Sequence, residues 1–484
     1  MLKDSLEITG EHLLGIINDS LEQGKFPRSW KQSTVIPIPK VSGTIKAEEY
    51  RPINMLPIYE KVLEIIVKDQ LLEYLNEEKI LIDEQSGFRQ HHSCESALNL
   101  LLYKWKRMIE EKKTIVVLFL DLKRAFETIS RPEMLNTLSK YGMGGNVLRW
   151  FQSYLSDRTQ ICQYGNSTSL PKLVPLGVPQ GSVLGPLLFI LYINDMKKAI
   201  KHCDVNLFAD DTVIFVAEKN AEAASRKLRE DIKLLDTWLK VKKLKLNVQK
   251  TKTMIISNKK QLNYADLKIY IEGIEIERVE VFKYLGVLID QKLTFKAHID
   301  NVIKKIAKKY GMLVRLSSQM TFWSKIFVYK TLVAPHIDYC SSVIFLASDI
   351  HQKRLQRLQN KFMRFILSCN RYTPIRVMLD TLQWLSVKER IVFNVLTIIF
   401  KLTNNLLPEY LTNIILRGRN IHNYSTRRSD DLRVVPFTMT STQKSIYFSG
   451  IRIFNELPIE IRTMRSVPEF KRNCVRWIKE RFRQ

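Results

Sequence analysis

Val205-Asn206-Leu207-Phe208-Ala209-Asp210-Asp211-Thr212-Val213-Ile214-Phe215-Val216 is the stretch on which the reading of this chain turns. Two adjacent carboxylates join two apolar, β-prone runs. Each run is long enough for a short strand, so the Asp pair falls at a tight hairpin turn. Like charges beside such apolar flanks are costly unless a cation sits with them. A third carboxylate, Asp121, ends another apolar run, Ile115-Val116-Val117-Leu118-Phe119-Leu120. Three acids delivered from strand ends supply the oxygen ligands that a pair of Mg²⁺ ions takes, with positions left open for phosphates. The pattern points to phosphoryl transfer on a nucleotide.

Composition sets the outer limits. With 484 residues the chain exceeds one ordinary core, so roughly two to four subdomains are expected. A hydrophobic share of 45% supports packed cores rather than disorder. Lys and Arg number 76 against 49 Asp and Glu, a formal +27. That surplus favours a polyanion partner, nucleic acid above all, over a merely basic soluble protein. The six cysteines have no paired spacing, so neither a disulfide framework nor a zinc site is expected, and a reducing compartment fits. His91-His92-Ser93-Cys94 is read as structural. No secretion signal opens the chain, and the longest apolar stretch, Val183 to Ile193, is too short to span a bilayer. An intracellular protein of the nucleus or cytoplasm, without membrane, is expected.

Pattern changes along the chain suggest its elements. Residues 1–30 read as helical, with Leu13, Ile16, Ile17, Ser20 and Leu21 on one face. Ser33 to Pro39 alternates like a strand, and Tyr50-Arg51-Pro52-Ile53-Asn54 reads as a turn into a helix from about Pro57 to Asn76. Helices are expected over 94–110, 132–155 with breaks at its glycines, 187–200 and 221–243. Asn194-Asp195 reads as a cap or turn. Strands alternating with helices in this order describe an α/β domain. Beyond about residue 291 the strands give way to helices. One, 296–316, sets Ile299, Val302, Ile303, Ile306, Tyr310 and Leu313 against Lys304, Lys305, Lys308 and Lys309. Another, 351–368, is similarly basic on one side. Either face alone reads as solvated; together they point to phosphate contact. Residues 417–484 hold 15 Lys/Arg against 6 Asp/Glu.

Between the two acidic sites lies Gly177-Val178-Pro179-Gln180-Gly181-Ser182-Val183-Leu184-Gly185-Pro186, whose glycines let backbone approach a ligand closely. Taken in order, Phe119-Leu120-Asp121 through Phe126, then Pro179-Gln180-Gly181-Ser182, then Phe208-Ala209-Asp210-Asp211, the set resembles the palm of reverse transcriptases. It is most similar to those of non-LTR (LINE-like) retrotransposons of the jockey and CR1 type. Phe26-Pro27-Arg28-Ser29-Trp30-Lys31, Val35 to Lys40, Tyr50 to Asn54 and Gln85-Ser86-Gly87-Phe88-Arg89 resemble the fingers motifs of that family. Leu246 to Thr251 resembles its lysine-bearing motif, Phe282-Lys283-Tyr284-Leu285-Gly286 its primer grip, and Phe454-Asn455-Glu456-Leu457-Pro458 a C-terminal block.

The resemblance implies an α/β (α+β) right-hand polymerase in which an antiparallel sheet backed by helices precedes a helical thumb. The expected divisions are an N-terminal helix and fingers (1–110), palm (111–290), thumb-like region (291–385) and basic C-terminal region (386–484), with the reverse transcriptase domain over about 30–290. It implies that Asp121 and Asp210 hold two Mg²⁺ ions, for which Mn²⁺ can substitute, with Asp211 close by as a further metal ligand or electrostatic support. Phe126 becomes the steric gate against a ribose 2′-hydroxyl; without the resemblance it reads as a core aromatic. Gln180 and Gly181 border the nascent pair, Lys40 and Arg51 grip the triphosphate, and Lys250 protonates pyrophosphate, a surface lysine being its competing reading. The implied partners are an RNA template, a DNA primer and deoxynucleoside triphosphates. Glu127 replaces the commoner Asp after the gate. Met1 lies only a few helical turns before the fingers, so the endonuclease domain usual upstream is expected to be missing from this chain. A relic that binds nucleic acid without polymerising is the rival reading, and an intron-encoded or telomerase-like enzyme a third.

Overall fold

The computed structural model describes residues 2–259, 267–415 and 431–483. Its centre is an antiparallel sheet of four strands: β3 (Thr114–Leu120), β7 (Asp204–Phe208), β8 (Asp211–Glu218) and β9 (Lys252–Ile256), in the order β7-β8-β3-β9. All seven residues of β3 are buried because helices cover both faces of the sheet. Alternation divides them: Val116, Leu118 and Leu120 enter one core, Ile115, Val117 and Phe119 another. The first core also takes α1 (Leu2–Gln23), α2 (Ile58–Glu77), α4 (Arg131–Lys140), α5 (Gly145–Leu155), α6 (Gly185–Tyr192) and α7 (Ala221–Val241). The second takes α3 (Cys94–Glu110) and the helices that follow the sheet.

A second sheet joins strands from before and after β3 in the chain. β1 (Gln32–Pro39) pairs antiparallel with β2 (Tyr50–Met55) and parallel with β4 (Thr159–Tyr164), to which the short β5 (Ser167–Thr168) and β6 (Lys172–Leu173) attach. The expected turn at Tyr50–Asn54 is therefore corrected to a strand. Pro52 is tolerated there because β2 is an edge strand and faces Pro37, a pair that needs no ladder bond. The helix expected over 187–200 ends at Tyr192, and a 3₁₀ turn covers Met196–Ala199. Asn194 occupies the break, bonding Ile80 O at 2.8 Å, Ile82 N at 3.0 Å and the Tyr141 hydroxyl at 3.2 Å. Ile16, expected on the inner face of α1, is exposed, whereas Ile17 and Ser20 are buried.

The basic helix α8 (Lys296–Arg315) buries Ile299, Val302, Ile306 and Leu313 and leaves Lys304, Lys305 and Lys308 exposed. The helix Asp349–Leu367 packs beside it. A third core forms where the helices Val387–Thr403 and Val467–Arg483 meet, with Phe400 and Phe470 stacked at 4.0 Å. It reaches α3 through Leu100 and Tyr103. Thus α3 lies between the four-stranded sheet and the C-terminal region. Among the described residues no helix is long and apolar enough to cross a membrane.

Candidate active site

The register Phe208↔Asp211 leaves Ala209-Asp210 as a two-residue hairpin loop. Ala209 has φ 55°, a left-handed conformation that costs a non-glycine residue about 1–2 kcal/mol. A brace holds it there. The Ala209 N–H donates to Gln85 Oε1 at 3.0 Å, and Gly87 N–H donates to the same oxygen at 2.7 Å. Residues 84–86 run parallel to β7, with Leu207 N–H donating to Glu84 O and Ser86 N–H to Leu207 O, both at 2.8 Å. Gly87 is required by proximity, since a Cβ there would lie 2.4 Å from Ala209 N.

Continuing the β3–β8 register by one residue from Leu120↔Thr212 sets Asp121 opposite Asp211. The Asp121 carbonyl accepts from Asn247 N–H at 2.8 Å, which hangs the Leu246–Thr251 segment and exposed Lys250 beside it. Asp210 and Asp211 are open to solvent on a floor crowded by protein. Desolvation there, followed by repulsion from Asp210 and Asp121, pushes the Asp211 carboxyl up to about 6. Desolvation likewise raises Asp210, with Asp121 adding to the shift and Arg51 opposing it. Arg51, from β2, thus reaches the field of the acids. Lys40 lies past the end of β1, its ammonium on Glu48 O at 3.2 Å.

The Pro-Gln-Gly-Ser loop is clamped on two sides. Asn54 N–H donates to Gln180 O at 2.8 Å, and Gly181 at φ 126° passes so close that a Cβ would meet Asn54 O at 2.5 Å. On the other side Val178 N–H donates to Phe126 O at 3.0 Å. Phe126 stacks on Phe189 at 4.5 Å and receives the exposed Phe88 edge-on at 6.4 Å. Beside the loop opens a cavity of about 330 Å³ lined by Asn54, Glu127, Arg131, Arg158 and Gln180, whose Oε1 is buried without a protein partner.

A buried network supports this loop from α2. Glu64 accepts from Val183 N–H at 2.8 Å and from the Tyr154 hydroxyl, while Glu60 pairs with Arg158 at 2.6 Å. Burial, only partly offset by Arg158, pushes the Glu60 carboxyl up to about 7, and burial also raises Glu64.

The family model described as reverse transcriptase (RNA-dependent DNA polymerase) matches residues 38–289, more than half of the chain. The chain belongs to the reverse transcriptase family. The probable RNA-directed DNA polymerase from transposon BS of Drosophila melanogaster is 30% identical over 401 residues, covering 78% of this chain and 43% of that protein. The RNA-directed DNA polymerase from mobile element jockey of the same species is 28% identical over 372 residues, covering 75% and 40%. The expected kinship with jockey-type non-LTR elements holds, and the chain spans less than half the length of these relatives. Apo telomerase from Candida tropicalis has a TM-score of 0.38 at 12% identity, covering 80% of this chain and 71% of that one.

Within this reverse transcriptase the structure brings Asp121, Asp210, Asp211 and Arg51 into one electrostatic field and seats Phe126, Gln180 and Gly181 on adjoining turns. No side-chain hydrogen bond or ion pair among the described residues joins Lys40 or Lys250 to the acids. Among the described residues no three His, Cys, Asp or Glu side chains already enclose a metal site. The aspartates instead leave excess negative charge on an open floor, which suits hard divalent ions that share their oxygen ligands with phosphates. Sequence reasoning quoted Gln85 without a role and passed over Glu64. The clue to Glu64 was its place with Leu63, Val67 and Leu71 in the apolar stripe of α2, where a carboxylate has to find buried partners.

Proposed function

We propose that this chain is the polymerase part of a non-LTR retrotransposon protein, extending a DNA primer on an RNA template. The carrying observation is the convergence of Asp121, Asp210 and Asp211, where desolvation and then repulsion between neighbouring carboxylates raise the Asp210 and Asp211 carboxyls. Residues 1–110 serve as N-terminal helix and fingers, 111–290 as palm, 291–385 as thumb and 386–484 as a basic C-terminal region. Two Mg²⁺ ions, when bound, supply acidity to the primer 3′-hydroxyl and neutralise departing pyrophosphate. Asp121 and Asp210 would hold them, with Asp211 as a further ligand or electrostatic support. Arg51 and Lys40 attract the triphosphate, Gln180 and Gly181 border the new base pair, and Lys250 meets pyrophosphate. Primer extension on an RNA template with Mg²⁺ and deoxynucleotides tests the reading. Template-primer binding without extension would instead identify a relic.

Phe126 is proposed as the sugar gate, its ring fixed between Phe189 and Phe88. A fixed ring there collides with the 2′-hydroxyl that distinguishes ribonucleotides. Phe126→Ala is expected to raise ribonucleotide incorporation at least about tenfold relative to deoxynucleotides, the size of one lost steric contact of about 1.4 kcal/mol. Unchanged sugar selectivity in single-nucleotide extension removes the assignment.

From Asn301 to Ile337 the chain carries seven Lys/Arg and no Asp or Glu. Trp323 and Phe327, one helical turn apart in that span, are 75% and 67% exposed. Positive charge with open rings suits a phosphate backbone and unstacked bases. Binding measured by fluorescence anisotropy is expected to weaken linearly in log salt, by about 0.7–0.9 per phosphate contacted. A flat salt response counts against this surface.

A further inference from the structure

The brace on the catalytic hairpin has an anchor outside the reverse transcriptase match. The Ser86 hydroxyl lies 2.9 Å from the hydroxyl of Tyr410, across 324 residues of sequence. Tyr410 stands in the short helix Glu409–Thr412, and its ring meets His92 edge-on at 5.5 Å. Ser86 is buried and its own N–H is committed to Leu207 O. Next to it, Gln85 holds the left-handed Ala209 turn that carries Asp210.

The 82–92 segment has little sheet structure of its own. Arg89 closes it by donating to Ile82 O at 2.7 Å and to Gln85 O at 3.0 Å. One side of the segment lies on β7 and another meets Tyr410. The C-terminal half grips the adjoining helix α3 as well: Glu95 accepts from Ser342 N–H at 3.0 Å, and Glu110 accepts from the Thr442 hydroxyl at 2.6 Å. Lys106, buried in α3, donates to the Lys444 carbonyl.

We propose that Tyr410 is a positioning residue for the catalytic hairpin, acting through Ser86 and Gln85 on the turn at Ala209-Asp210, so that the region after residue 386 completes the active site. The proposal rests on the polymerase reading above. Its physical basis is that a strained turn keeps its geometry only while the groups around it over-determine it. Losing one hydroxyl contact loosens the brace without emptying any core.

The test compares the full chain with Tyr410→Phe, Ser86→Ala and the double variant. Tyr410→Phe keeps the ring on His92 and removes only the hydroxyl. It is expected to lower kcat about fivefold, the rate equivalent of one neutral hydrogen bond, at unchanged KM for deoxynucleotide and unchanged melting temperature. The Mg²⁺ concentration for half-maximal rate is expected to rise, and the double variant to be no worse than the poorer single one. Wild-type kcat and Mg²⁺ dependence in Tyr410→Phe overturn the proposal while leaving the polymerase reading standing. Should the wild type itself not extend primers, that reading fails. Mn²⁺ binding followed by paramagnetic resonance then decides on Tyr410: weaker binding in Tyr410→Phe supports its positioning role, and equal binding overturns it.

Discussion

Replacing Asp210 and Asp211 together with alanine is expected to abolish primer extension while template-primer binding survives. Asp210 sits in the two-residue turn whose backbone is held by Gln85 and Asp211 opens β8, so removing carboxylates from an open floor disturbs no packing. What is lost is the oxygen set that holds divalent ions against the phosphates, and a fall of at least about 10³-fold, roughly 4 kcal/mol of barrier, is expected. Residual extension within tenfold of wild type would place the chemistry elsewhere. The charge on the floor adds a pH signature. Asp211 titrates near 6 in the folded chain against its ordinary 3.8, so the folded state binds more protons than the unfolded one between those values. The stability this group contributes is full below 3.8 and lost as pH rises through about 6. Mg²⁺ is therefore expected to raise the melting temperature at pH 7.5 and hardly at pH 5, and the double alanine variant to lose that gain. An equal Mg²⁺ effect at both pH values, or one that persists in the variant, contradicts a metal site at these acids.

Glu64→Ala is expected to be the most destabilising single change near the site. Glu64 is fully buried and takes the Val183 N–H and the Tyr154 hydroxyl. Alanine strands both donors and leaves a void, at a cost of about 3–5 kcal/mol. Val183 directly follows Gln180-Gly181-Ser182, so the loop that meets Asn54 loosens, and kcat/KM is expected to fall at least about tenfold, the effect of 1.4 kcal/mol in the transition state. Glu64→Gln keeps the length and one acceptor oxygen. Because burial already disfavours the charged form of Glu64, the amide is expected to recover most of the stability. A wild-type urea midpoint for Glu64→Ala would show that the network carries no stability, and an equal loss in Glu64→Gln would point to charge rather than hydrogen bonding.

The features legible in the sequence are those written locally. The hairpin follows from two apolar runs flanking Ala209-Asp210, and β3 from an unbroken apolar run ending at Asp121. Helices α3, α7 and α8 follow from 3.6-residue periodicity over several turns. Tyr50–Asn54 misled because Pro52 and Asn54 are turn residues by composition; only the edge position beside Pro37 makes a strand of them. That correction matters for Arg51, which a strand carries into the field of Asp210 while Lys40 stays with Glu48. The roles of Gln85 and Tyr410 were out of reach for another reason. Their partners lie 124 and 324 residues away, and one polar side chain among many gives no local sign of which distant N–H or hydroxyl it will meet.

The sequence by itself determined the family, the three acids and the order in which they arrive, because strand ends, turn residues and helical periods depend on neighbours a few positions apart. Tertiary structure alone decided how the acids are held. Ala209 keeps a left-handed turn because Gln85 and Gly87 close on it, and the Gln180 loop keeps its path because Asn54 and Glu64 reach it from β2 and α2. These are hydrogen bonds between segments that meet only once the cores have formed. Burial then makes each of them costly to leave unmade, and so fixes the geometry that local pattern leaves open.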